Sequence, residues 1–145
     1  MAAAWAYFDT SALLRRYVRG PGSPRVVSLF RRSRVLSSVI APLEIVSALY
    51  RRRSSGELAE RDLLAVITRM AADRVRWELV GATSLVLDRA ERFIREHGLL
   101  PLAAVHMASA LAFYEETGSR LEFVTADSRQ GVVAESCGLP VVWVG

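Results

Sequence analysis

Three carboxylates in this sequence stand where a carboxylate is costly. Asp9 closes the apolar run WAYF, Asp127 ends the stretch LEFVTAD, and Glu44 lies inside VIAPLEIVSALY. An acid among apolar neighbours must be paired, hydrogen-bonded or bound to a cation. Three together suggest a hard-cation site, because Mg²⁺ and Mn²⁺ prefer oxygen ligands. No His/Cys cluster offers a zinc site. Asp9 and Asp127 have a second reading as helix N-caps, since each precedes a helical stretch. The remaining acids, such as Glu57, Glu60, Asp62, Glu91 and Glu115, fall on polar helix faces and read as solvated charges.

These acids are only useful if the elements around them bring them together. Ala4 to Phe8 reads as a strand, and a helix begins around Ala12-Leu13-Leu14. Gly20-Pro21-Gly22-Ser23-Pro24 breaks the chain. A helix from about Arg25 to Arg32 and a strand from Val35 to Ser38 follow. Ala41-Pro42 opens a third helix, with Pro suited to the first turn, which ends before Gly56. Glu57 to Asp73 carries Leu58, Leu63, Leu64, Ile67 and Met70 at helical spacing. Val75 to Val80 alternates like a strand. Thr83 to His97 and Pro101 to Thr117 read as helices that stop at Gly98 and Gly118. Leu121 to Thr125 is a strand, Asp127 to Ser136 a short helix, and Val141 to Val144 a last strand. Alternation of this kind predicts an α/β domain with a mainly parallel sheet. In such a sheet the carboxyl ends of the strands face the ligand crevice. Asp9 and Asp127 then occupy the same slot on two strands, and they converge if those strands are neighbours.

Composition narrows the chemistry. At 145 residues and 52% hydrophobic, the chain is read as one domain with a sizeable core. All 19 basic residues are Arg. Without Lys there is no Walker A loop and no Schiff-base enzyme, and the Lys of a receiver-type phosphoacceptor domain is missing too. A phosphatase or dehalogenase using Asp9 as nucleophile wants a second Asp two residues on, where this chain has Ser11. Residues 1–53 hold ten Arg against Asp9 and Glu44, a net +8, and the remainder holds nine Arg against 13 acids, a net −4. An Arg-rich first third suits a polyanion or an acidic protein partner, although a plain solvated face would look the same. Cys137 has no partner for an internal disulfide, which favours a reducing, cytoplasmic setting. From His97 to Tyr114 there is no formal charge over 18 residues. This window barely approaches the roughly 20 apolar residues of a spanning helix, and is read as a buried helix with no membrane role.

At YFDTSALL (Tyr7–Leu14), APLEIVSAL (Ala41–Leu49), LPLAAVHMASAL (Leu100–Leu111) and FVTADSRQ (Phe123–Gln130) the chain resembles the PIN domain family. Within it, the likeness is to the toxin subunits of VapBC-type toxin–antitoxin pairs. The resemblance implies a three-layer α/β/α fold and a Mg²⁺- or Mn²⁺-dependent endoribonuclease. Asp9, Glu44 and Asp127 fall on three of the family's acidic positions. Thr10, Ser11 and Ser128 fall beside them, where hydroxyls can hold a ligand, a metal-bound water or a carboxylate. The resemblance also implies a homodimer and a small antitoxin that inserts into the site. One position departs from the pattern: the family carries an Asp three residues before the His, and here that place is Ala103.

Two functions follow. The first is a metal-dependent ribonuclease toxin weakened by Ala103, with Asp9 and Asp127 on the metal and Glu44 as ligand or water-positioning base. The second is a PIN-like domain that has lost catalysis but still binds RNA or an antitoxin. His106 reads either as a catalytic base or as a helix histidine satisfied within the core. Arg15, Arg16 and Arg19, with Arg51, Arg52 and Arg53, are candidates to flank an RNA path or dock an antitoxin. Trp5, Trp77 and Trp143 are read as core or interface residues rather than base-stacking platforms.

Overall fold

The computed structural model describes residues 3–145. Five strands form one sheet: β1 Trp5–Phe8, β2 Arg34–Ser38, β3 Glu78–Val80, β4 Leu121–Thr125 and β5 Val141–Trp143. Their order is β3-β2-β1-β4-β5, and every pairing is parallel. Seven helices connect them: α1 Thr10–Tyr17, α2 Ser23–Arg32, α3 Ala41–Ser54, α4 Glu60–Arg74, α5 Ser84–His97, α6 Pro101–Thr117 and α7 Ser128–Ser136.

The strands are apolar on both faces because both faces are covered. Ala6, Phe8, Val35 and Val124 pack against α1 to α4, through Leu13, Leu29, Ile45 and Leu63. Tyr7, Leu36, Leu121 and Phe123 pack the opposite way, onto α5 to α7. This period-2 partition of β1 and β4 makes the three layers.

α6 explains the uncharged window. Every residue from Ala104 to Ala110 is buried, so this stretch of the helix has no solvent face to carry charge. Small residues let it lie close to the sheet. Among the described residues no single helix is long and apolar enough to cross a membrane, and α5 and α6 meet at 119°.

Several boundaries differ from the sequence reading, and three of them have a clear physical reason. α2 starts at Ser23, not Arg25, because Pro24 fits a first helical turn, where its missing N–H is no loss. α4 starts at Glu60, not Glu57: the N–H groups of Glu57 and Leu58 donate to the Arg52 carbonyl at 2.9 and 3.2 Å, which holds that stretch in a turn. β3 shrinks to Glu78–Val80, because α4 runs on to Arg74 and the N–H groups of Arg76 and Trp77 turn back onto Asp73 and Arg74.

Candidate active site

The strand order reverses between β1 and β4, which are neighbours, with Phe8 opposite Val124. A parallel sheet opens a crevice at such a switch point, beyond the carboxyl ends of the strands. Asp9 and Asp127 leave those two strands there, as the sequence required for convergence. Asp9 is fully buried. It caps α1, its Oδ1 accepting from the Ala12 N–H at 2.9 Å and from the Ser11 hydroxyl at 2.7 Å. Its Oδ2 accepts from the Thr125 hydroxyl at 2.6 Å. Burial raises the Asp9 pKa above the ordinary carboxylate value; His106, Thr125, Ser11 and the Ala12 N–H pull it back only partly.

Glu44 enters from the first turn of α3. Its Oε1 accepts from Thr10 Oγ1 at 2.7 Å and contacts His106 Nε2 at 2.8 Å. His106 is buried on α6 and reaches the Tyr7 hydroxyl through Nδ1 at 2.7 Å. Burial pushes the Tyr7 hydroxyl's pKa well up, so it keeps its proton and donates to Nδ1. The Nε2–H then donates to Glu44, with Thr10 Oγ1 also in reach at 3.0 Å. The structure places His106 as the second sequence reading had it, satisfied within the core, and what satisfies it is the candidate acid. Too enclosed to meet a substrate, it positions Glu44. Glu44 keeps a fifth of its side chain exposed, and its Oε2 has no hydrogen-bond partner among the described residues.

Thr125 and Tyr7 complete the network and were not singled out by the sequence. Alternation was the available signal. Tyr7 lies two residues before Asp9 and faces α6, while Thr125 lies two before Asp127 and bridges the two acids. Its Oγ1 donates to Asp9 and accepts the Asp127 N–H at 2.9 Å.

The other candidates are placed differently. Asp127 is the N-cap of α7, accepting from the N–H groups of Arg129 and Gln130 and from Gln130 Nε2. Ser128 is exposed at the start of α7, and Ser11 also takes the Ala126 N–H at 2.9 Å. Ala103 sits in the first turn of α6, which holds no acid. Arg15 and Arg16 lie in the last turn of α1, the end remote from Asp9. Arg51 bonds Ser47, Arg52 pairs with Glu57 and Arg53 with Glu60, all in the α3–α4 region.

The divalent ion that the resemblance implied can be tested on these contacts. A resident ion needs several carboxylate oxygens turned to a common point, although each of them can accept a hydrogen bond as well. Here both oxygens of Asp9 and of Asp127 take internal donors, and Glu44 Oε1 is held by Thr10 and His106. Among the described residues no group of three or more His, Cys, Asp or Glu side chains could hold a metal ion. The residues present do not fit a resident Mg²⁺ or Mn²⁺. Hydrogen bonds offset the cost of burying Asp9.

The family model for the PIN domain matches residues 6–136. No curated protein sequence matches the chain. Among solved structures, a toxin–antitoxin complex from Klebsiella pneumoniae is 15% identical, with a TM-score of 0.62 over 97% of this chain and 98% of that one. VapBC2 from Rickettsia felis, bound to a DNA fragment from its promoter, is 11% identical, with a TM-score of 0.64 over 97% and 98%. VapBC-1 from nontypeable Haemophilus influenzae is 12% identical, with a TM-score of 0.60 over 95% and 96%.

Proposed function

The chain belongs to the PIN domain family, and from that premise we propose that it is the toxin-type member of a toxin–antitoxin pair, a slow endoribonuclease working from the Asp9–Glu44 crevice. The observation that carries this reading is Glu44. Thr10 and His106 fix one of its oxygens and leave Oε2 free beside the crevice. A carboxylate so oriented can take a proton from a water attacking an RNA phosphodiester, and return it to the leaving oxygen. Asp9, locked by Ser11 and Thr125, fixes the floor on which Glu44 stands.

An antitoxin covering the crevice, a homodimer and a cytoplasmic setting belong to the same proposal. The solved relatives support the antitoxin by being toxin–antitoxin complexes in their own right. Mg²⁺ and Mn²⁺ are supplied as the ions that the resemblance implied, although the acids as placed do not gather round one.

Purified, partner-free protein tested on RNA in Mg²⁺, in Mn²⁺ and in EDTA decides. Slow cleavage that Glu44→Gln abolishes is the expected result, and loss in EDTA would bring the ion back into the reaction. A second reading has its own observation, the fully hydrogen-bonded carboxylates of Asp9 and Asp127 together with Ala103, one turn before His106 on α6. On that reading the parent binds RNA without cutting it, and Ala103→Asp restores cleavage.

A further inference from the structure

A second pocket lies at the opposite end of the sheet. It encloses about 660 Å³ and is lined by the first residues of β1 and β2, the last turns of α1 and α2, and the turn before β3. Trp5 and Arg34 open the strands whose other ends lead to Asp9 and Ile40, so the length of a strand, on the order of 13 Å, separates this pocket from the crevice.

Its lining is cationic and aromatic. Arg16, Arg31, Arg34 and Arg76 face Asp73 and Glu78. Asp73 is already engaged, by the Tyr17 hydroxyl at 2.6 Å and by Arg16 at 3.9 Å. Among the described residues Arg31, Arg34 and Arg76 have no acid within ion-pair distance. The Arg34 guanidinium carbon lies over the Trp5 ring, 3.7 Å from its centroid. A guanidinium held this way gives up rotamer freedom before any ligand arrives, and keeps its N–H edge and its outer face for one. Trp5 is therefore not a bare platform for a base, but the support of one.

We propose that this pocket binds a nucleotide. The phosphate sits between Arg31 and Arg76, and the base stacks on the outer face of the Arg34 guanidinium. Glu78 accepts from a ribose hydroxyl or an exocyclic amine of the base. The volume falls within the usual range of small-ligand pockets, roughly 300–1,000 Å³. The nucleotide comes either free or as one unit of a single-stranded RNA. An acidic peptide would meet the same charges but has no use for the planar stack, so the stack favours the nucleotide.

The test uses the full chain in EDTA, so that cleavage cannot remove the probe. Binding of AMP, inorganic phosphate, polyglutamate and a short single-stranded RNA is followed by calorimetry and by the Trp5 indole resonance. AMP is expected to shift that resonance and to bind at least about tenfold more tightly than phosphate, the weight of one added contact. Arg34→Ala weakens AMP by a similar factor, whereas Asp9→Asn leaves it unchanged. Arg34→Lys keeps the charge but not the plane; it loses the preference for AMP while retaining phosphate, and guards against a variant that merely unfolds. If AMP fails and Arg34→Ala weakens only the RNA, the nucleotide is polymer-borne. Equal binding of AMP and phosphate, tighter binding of polyglutamate than of either AMP or RNA, or RNA affinity and AMP affinity both indifferent to Arg34, would overturn the proposal.

Discussion

Asp9 is held ionisable at a cost, and that cost has a sign. Burial raises its folded-state pKa above the unfolded value, so the folded chain binds this proton more tightly than the unfolded chain. Asp9 therefore supports the fold below its unfolded pKa, and that support is lost as pH rises through the folded one. Asp9→Asn, which cannot ionise, is expected to raise the melting temperature at neutral pH and to narrow its lead as pH falls. Thermal melts of the two proteins across the acid-to-neutral range check this, and an Asn variant that is less stable at neutral pH would contradict it. Glu44 and His106 are expected to be coupled in stability. A double-mutant cycle with Glu44→Leu and His106→Leu should give about 1 kcal/mol, toward the low side of contacting pairs because Glu44 is a fifth exposed. A coupling indistinguishable from zero would mean that His106 does not position Glu44. The sequence made the three acids legible because apolar neighbours flag a costly charge. It could not say what stabilises each one. His106, Thr10 and Thr125 meet Asp9 and Glu44 only across long chain separations, and periodicity carries no information about such meetings.

At the scale of elements, α6 decides how much chemistry the crevice can do. Its first turn carries Ala103, one turn before His106, and its next two turns are sealed. Ala103→Asp places a carboxylate in that first turn, where the helix dipole favours negative charge by about 0.3–1 kcal/mol. The variant is expected to fold as well as the parent. It is also expected to gain a melting-temperature increase on adding Mn²⁺ that the parent lacks. An equal Mn²⁺ response in both would show that the fourth acid is not what the crevice wants for an ion. Deeper in the same helix the expectation reverses. Ala108 is fully buried, and Ala108→Leu should cost about 1–3 kcal/mol by overpacking, read as a lowered denaturation midpoint. The elements themselves were largely readable. α6 was legible from Pro101 and Gly118 at its ends, and β4 from its apolar run. The misplaced ends of α4 and β3 depended on backbone hydrogen bonds of turns, those to the Arg52 and Asp73 carbonyls, which leave only a weak trace in composition, and that of α2 turned on Pro24, which opens a helix as readily as it breaks a chain.

The whole molecule carries unpaired guanidinium groups at one end of the sheet and exposed apolar side chains elsewhere. The Arg-rich first third supplies Arg31 and Arg34 near the amino ends of the strands, where they and Arg76 stand unpaired among the described residues. The larger exposed apolar side chains of the other half include Leu85, Leu100, Leu102 and Val132, at 82%, 71%, 48% and 67% exposure. Exposed apolar surface of this kind is what an association face needs, and these four side chains lie outside the Arg-rich third, whereas Leu43, at 74% exposure, lies within it. The proposed homodimer and the proposed RNA contacts should therefore respond oppositely to salt. Guanidinium–phosphate contacts release counterions, so RNA affinity falls steeply as salt rises. Apolar association is not screened and persists. Light scattering of the partner-free protein is expected to give twice the chain mass of 16.0 kDa, at low and high salt alike. Leu100→Arg with Leu102→Arg is expected to halve that mass while leaving the salt dependence of RNA binding unchanged. A parent that scatters as a single chain would remove the homodimer from the proposed function. A dimer that dissociates in salt would move the association face to the Arg-rich third.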